Sequence, residues 1–231
     1  ENTPGTCYSC KSANNVELWK EIGAAKYAST PFNTLGKQIE EPIGCVNCHD
    51  SSTMRLVVTN PALEKALQEQ GKDWRTFSRQ EMRSLVCANC HVEYYFAGEE
   101  KVLTFPWDNG TKIEDIAAYY QEIAFSDWTH GESGAAMIKM QHPDYELFTA
   151  DSTHYKAGVA CGDCHMPYTK DGAAKFSSHN VRSPLLDPEA SCGTCHTRVL
   201  PGGVTIKATQ GNLPLARIEA HEVPLKFREE H

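Results

Sequence analysis

Five short stretches hold every cysteine of this 231-residue chain: CYSCK (7–11), CVNCH (45–49), CANCH (87–91), CGDCH (161–165) and CGTCH (192–196). The ten thiols fall into pairs at one spacing: Cys7/Cys10, Cys45/Cys48, Cys87/Cys90, Cys161/Cys164 and Cys192/Cys195. A C-x-x-C pair serves a zinc site, a redox dithiol or, when histidine follows, covalent haem attachment. Four of the pairs are followed by histidine, namely His49, His91, His165 and His196. Zinc ribbons have no need of that residue, and a disulfide framework has no need of the fixed two-residue gap. Haem c therefore accounts for more of the pattern than either rival. Two thioethers pin the edge of the macrocycle while the next residue turns its ring nitrogen to iron.

Lys11 breaks the pattern, and it has two readings. In one it sits in solvent at the end of a decayed motif. In the other its neutral amine ligates iron, which requires a lowered lysine pKa. A different ligand points to a different role for that haem. If the opposite face of the iron is open, it binds substrate.

The elements that position these motifs read as helical. Ser78-Arg79-Gln80-Glu81 has the capping-box form and leads through Met82, Leu85 and Val86 into Cys87. Thr111-Lys112-Ile113-Glu114 repeats the signal ahead of an apolar face of Ile113, Ile116, Ala117, Tyr120 and Ile123. Asp187-Pro188-Glu189 starts a helix expected to carry Cys192 to His196. Residues 61–70 read as an exposed helix ended by Gly71. No sheet is evident. The expectation is a mostly α, multihaem cytochrome c with one haem-packed domain over 1–198. An arm follows at 199–231, where β-branched pairs alternate with Gly and Pro. Apolar residues make up 40% of the chain, so five haems would supply much of the buried apolar surface.

A net charge of −8 argues against nucleic acid and anionic membrane as partners. No apolar run reaches the roughly 20 residues of a spanning helix, and no basic-then-apolar leader is present. Covalent haem attachment takes place outside the reducing cytosol, so the expected location is periplasmic.

CYSCK, CANCHVEYYF (87–96) and IKMQHPDYE (138–146), with FPWDNGTKIEDIAAYY and IAFSDWTH between them, resemble the pentahaem ammonia-forming cytochrome c nitrite reductases. The resemblance runs from about residue 5 to 198. It implies five haems c, with Lys11 as proximal ligand of the active-site haem and Tyr94 and His142 as distal-pocket residues. It also implies a calcium ion held by the Glu93 side chain, the carbonyls of Tyr94 and Lys139, and the Gln141 amide oxygen. All-oxygen ligation suits calcium, although one carboxylate is a weak signal by itself. Ordinary packing beside a haem is the plain alternative for Glu93, Tyr94 and Tyr95. His154 matches the distal ligand of the fifth haem and His179 that of the second. Nitrite would be the substrate, with six-electron reduction to ammonium. The electron donor would be quinol-linked or another cytochrome, and the protein a homo-oligomer.

Three family features find no counterpart by sequence: an active-site arginine upstream of the lysine motif, the third haem's distal ligand, and long helices after the fifth haem. His221 and His231 are expected to fill vacant coordination sites from the C-terminal arm, with Arg217 or Arg228 near the pocket. The alternative is that all four face solvent. His130 is given no role. Two rival functions remain: a non-catalytic multihaem electron carrier, and a haem module of a larger complex. Hydroxylamine and sulfite stand as other substrates an open iron would take.

Overall fold

The computed structural model describes residues 3–196, together with the backbone of Val204–Lys207 and Arg217–Ala220. His221, His231 and Arg228 lie outside the described residues, as does the Arg217 side chain. The chain divides into two compact units, Glu1–Val159 and Ala160–His231.

In the first unit the sequence signals set helix ends as expected at one place and shifted at another. Ser78 caps Arg79–Leu85: its hydroxyl accepts the Glu81 N–H at 3.2 Å, and the Glu81 carboxylate accepts the Ser78 N–H at 2.7 Å. The later helix runs Ile113–Glu122 and starts one residue further on than its signal. Asp115, rather than Glu114, accepts the N–H of the residue before the helix, Lys112, at 3.2 Å.

Helix Pro61–Glu69 corrects the expectation of an exposed element. Asn60 caps it through the Ala62 N–H at 3.0 Å and proline occupies its first turn. Gly71, at φ +68°, ends it as the Lys72 N–H folds back onto Leu67 O at 2.8 Å. Ala62, Leu63, Ala66 and Leu67 fall on one face and are buried, while Lys65 and Glu69 pair outside at 2.7 Å. Leu63 and Leu67 join Leu85, Val92, Leu103, Phe105 and Trp107 in the main core. Each fully buried Leu or Phe contributes about 1.5–3 kcal/mol. The charges of PALEKALQEQ suggest exposure, but its apolar residues lie at helical spacing.

Two smaller clusters flank this core: Leu18, Tyr27 and Leu35 behind the lysine motif, and Ile116, Tyr119 and Tyr120 on the later helix. Gly5 lets the first attachment turn lie against Tyr27–Thr30. A Cβ there would come within 2.7 Å of Thr30 O and 2.8 Å of Tyr27 O.

Strand structure among the described residues amounts to two-residue to four-residue antiparallel ribbons. Tyr95–Ala97 pairs with Val102–Thr104, and Trp128–Thr129 with Ala136–Met137. In the second unit Tyr168–Asp171 pairs with Ala174–Ser177, and Val204–Lys207 with Arg217–Ala220. The fold is mostly helical, as the sequence implies, with these ribbons as additions.

The second unit opens on helix Cys161–His165, and the Asp163 carboxylate accepts the Ala160 N–H at 2.8 Å. Asp187 caps helix Pro188–Ser191 through the Ala190 N–H at 3.2 Å. That helix stops before the last motif, which corrects the expectation that it carries Cys192, Cys195 and His196. These residues form a turn of their own, in which the Cys195 N–H donates to Cys192 O at 3.1 Å and the His196 N–H to the same oxygen at 2.8 Å. No helix among the described residues is long and apolar enough to cross a membrane.

Candidate active site

The attachment motifs share a local geometry that the backbone alone enforces. In three histidine motifs the last N–H returns four residues: His49 to Cys45 O, His91 to Cys87 O and His196 to Cys192 O, each at 2.8 Å. One helical turn brings both sulfurs and the following side chain to one side. Lys11 differs. Its N–H closes on Tyr8 O, three residues back, at 2.9 Å, at the end of the 3₁₀ turn Gly5–Cys10.

Three of the motif imidazoles are held through Nδ1. A ligating histidine is fixed by what its other nitrogen holds. His49 Nδ1 lies 2.8 Å from Met54 O, His165 Nδ1 3.0 Å from Arg182 O, and His91 Nδ1 3.0 Å from the Asp144 carboxylate. With Nδ1 engaged in this way, Nε2 is the nitrogen that would ligate iron.

No two of the ten cysteines are joined as a disulfide, so the disulfide reading finds no support among them. Eight are half-buried, but Cys45 and Cys195 are exposed. The reason at Cys195 is local. Its motif lies in a turn beyond the helix rather than on it, and the Thr194 hydroxyl, 3.9 Å from Cys195 Sγ, is itself exposed. Cys45 likewise opens a short 3₁₀ turn, Cys45–Asn47, with Val46 and nearby Met54 presenting exposed apolar surface. A thiol that is to take a macrocycle must be reachable, and exposed apolar side chains beside it suit the ring's edge. The attachment residues fit haem c.

The lysine motif opens onto a cavity containing about 620 Å³ of empty space, counting its mouth. Thr6, Cys7, Cys10 and Lys11 form one side; Tyr94, Phe96, Leu103 and His142 form another. Cys90 and His91 of the third motif complete it. The Tyr94 and His142 rings stand 6.5 Å apart between centroids, and His142 stands 6.4 Å from His91. Burial pushes the Tyr94 hydroxyl up from its ordinary value, with Cys10, Cys7 and Glu93 adding to the effect. It therefore stays a protonated donor at neutral pH. Lys11, Tyr94 and His142, drawn from three separate stretches of sequence, thus line one space.

Two sequence segments build the far wall, and Glu93 ties them. It is fully buried; Oε2 accepts the Gln141 N–H at 2.6 Å and Oε1 accepts the Tyr120 hydroxyl at 3.0 Å. Burial pushes the Glu93 carboxyl up, against the lowering effect of those two bonds. Neither of these partners is cationic, whereas buried carboxylates are normally paired or bound to metal. Asp127 draws Lys139 close by accepting its N–H at 2.7 Å. Glu93 is thus a buried acid without a positive neighbour in those contacts, bonded to the main chain of Gln141, and these residues fit a calcium ion. No cluster of three or more His, Cys, Asp or Glu side chains suited to a metal occurs among the described residues, so an ion at Glu93 would take its remaining ligands from main-chain and amide oxygens.

Of the other expected ligands, His154 lies in the short helix Thr153–Lys156 of the first unit, and His179 in an extended stretch of the second. His130 sits exposed in a ribbon turn with Nδ1 2.9 Å from Ser133 Oγ. Three residues that matter are not legible in the sequence as site residues. Asn89 accepts the N–H groups of Thr59 and Asn60 at 3.0 and 2.9 Å, fastening the third motif to the start of helix Pro61–Glu69. Buried Glu146 accepts from Trp107 Nε1 at 2.8 Å and from the Glu93 N–H at 2.9 Å. Asp144 holds His91. Only its place two residues after His142 points to it.

Thiol pairs at haem-attachment spacing, oriented imidazoles and a helical scaffold define a multihaem c-type cytochrome. The chain belongs to the cytochrome c552 family, whose model matches residues 1–201. It is 48% identical over 193 residues to a cytochrome c-552 from Parabacteroides distasonis, covering 84% of this chain and 39% of that protein. With a cytochrome c-552 from Maridesulfovibrio salexigens it shares 43% over 204 residues, covering 84% and 40%. The catalytic subunit of cytochrome c nitrite reductase from Desulfovibrio desulfuricans, a protein with two calcium sites, superposes with a TM-score of 0.77 at 42% identity. That match covers 85% of this chain and 44% of that one. The chain thus spans about two fifths of the curated relatives it matches.

Proposed function

We propose that this chain forms the substrate-binding part of an ammonia-forming cytochrome c nitrite reductase. The single observation that carries the reading is the convergence of Lys11, Tyr94 and His142 on one cavity beside Cys7 and Cys10. Haem c bound to those cysteines, with Lys11 as its axial ligand, would supply an open iron position and the electrons that cleave N–O bonds. Nitrite takes up six electrons overall and leaves as ammonium and water, so the pocket must deliver protons as well as bind an anion.

The protein's own groups suit that work. His142 presents an imidazole to the cavity as a proton donor. Tyr94, kept protonated by burial, offers a hydroxyl hydrogen bond to an oxyanion. Phe96 and Leu103 line the same space with apolar surface, which limits water and strengthens those bonds. Calcium held by Glu93, the Tyr94 and Lys139 carbonyls and Gln141 would fix Tyr94 and His142 relative to each other and favour an anion. His49, His91, His165 and His196 serve the four carrier haems, with His154 and His179 as further ligands. The protein works outside the cytosol, as thioether attachment requires, and takes electrons from a quinol-linked or cytochrome donor as a homo-oligomer.

Steady-state oxidation of reduced viologen tests the proposal with the haem-loaded chain. Nitrite-dependent oxidation with stoichiometric ammonium supports it. Oxidised and reduced spectra typical of haem c, with no nitrite-dependent turnover, would leave an electron carrier.

A further inference from the structure

The three proximal histidines whose Nδ1 partners are placed do not share one environment. His49 and His165 face neutral main-chain carbonyls of Met54 and Arg182. His91 faces a carboxylate, Asp144 Oδ2, at 3.0 Å. The contact is also backed by main chain: the Tyr145 N–H donates to His91 O at 3.1 Å, and the Asp144 N–H donates to His142 O at 2.7 Å. The backbone that carries Asp144 is thereby tied both to His91 and to the segment that carries His142.

A carboxylate on Nδ1–H pulls the proton away from the ring and makes Nε2 a stronger donor to metal. A stronger donor stabilises the oxidised, more positive iron, and axial-ligand basicity is one of the levers that set haem potential. The third motif also stands next to the lysine motif: Cys10 Sγ lies 3.6 Å from Asn89 O, and Cys7, Cys10, Cys90 and His91 line one cavity. A haem held there would neighbour the substrate-binding haem and could pass electrons to it.

We propose that Asp144 is a positioning residue that lowers the reduction potential of the haem held by His91, making that haem a stronger electron donor to the one held by Lys11. Each transfer is a one-electron exchange in which the His91 haem is oxidised and its neighbour reduced, with the reductant refilling the chain. This rests on the haem assignment of the proposed function, but not on nitrite being the substrate.

The test is a spectroelectrochemical titration of the holoprotein, wild type against Asp144→Asn and Asp144→Glu, without nitrite. Asparagine keeps an acceptor oxygen at the same place and removes the charge. One of the midpoints should rise by at least about 59 mV, a tenfold change in its oxidised-to-reduced ratio, while the others stay put, and glutamate should restore it. Electron paramagnetic resonance should show the matching change in a single low-spin signal. Superimposable titrations for wild type and Asp144→Asn overturn the proposal, as does a shift spread over all haems with a lowered melting temperature. Viologen turnover on nitrite, measured alongside, separates the two readings: a single shifted midpoint with no turnover in wild type keeps this inference and removes the reductase.

Discussion

Glu93 Oε2 accepts the main-chain N–H of Gln141 at 2.6 Å, joining the residues behind the third motif to the segment that presents His142. The bond spans 48 positions of sequence and fastens together the two segments that carry Tyr94 and His142. Glu93→Gln should keep the volume and lose both the charge and the calcium affinity. A chelator should lower the melting temperature of the wild type and leave that of Glu93→Gln almost unchanged. Equal responses in the two proteins would place the ion elsewhere.

Tyr94 and His142 should separate kinetically. His142→Ala removes the general acid and should lower nitrite turnover by about 100-fold or more. Tyr94→Phe removes one hydrogen bond, about 1 kcal/mol, and should cost less than tenfold. Initial rates with reduced viologen check both. Equal losses would contradict these roles.

Asn89 is buried and its side-chain oxygen serves two main-chain donors. Asn89→Ala leaves both without a partner and should destabilise the fold by about 2–4 kcal/mol. Denaturant midpoints of the haem-loaded proteins give the difference. A change within about 0.5 kcal/mol would mean that water replaces the amide.

Glu146 makes stability pH-dependent in calcium-stripped protein. Burial raises its carboxyl from 4.5 to about 7. Folded protein therefore holds this proton where the unfolded chain has released it. The resulting stabilisation is complete below the unfolded value and disappears as pH rises through about 7. A shift of this size corresponds to about 3 kcal/mol. Melting temperature should fall across that window for wild type and flatten for Glu146→Gln. Parallel curves would assign the slope to other groups.

Local chemistry makes much of this protein legible from sequence. The attachment motifs, the Ser78–Glu81 cap and the Asp187–Pro188 start depend on residues within one turn of each other. Where that helix ends is marked only by Gly193, inside the motif, and the helix has already stopped at Ser191. Helix Pro61–Glu69 misleads because its charged letters hide a narrow apolar face, and burial depends on what packs against that face. The cavity residues come from resemblance, since nothing within IKMQHPDYE states that it meets CANCHVEYYF. Asn89, Asp144 and Glu146 take their meaning from partners 29 or more positions away. A polar residue with a distant partner reads, in isolation, like any surface residue.

The shorter backbone loop at Lys11 means that its motif is not a histidine motif with one letter exchanged. An amine at the end of four methylenes reaches farther than a ring does, and the main chain beneath it winds more tightly to suit. Anyone wishing to transplant the lysine onto another attachment site must re-form the peptide underneath as well as swap the side chain.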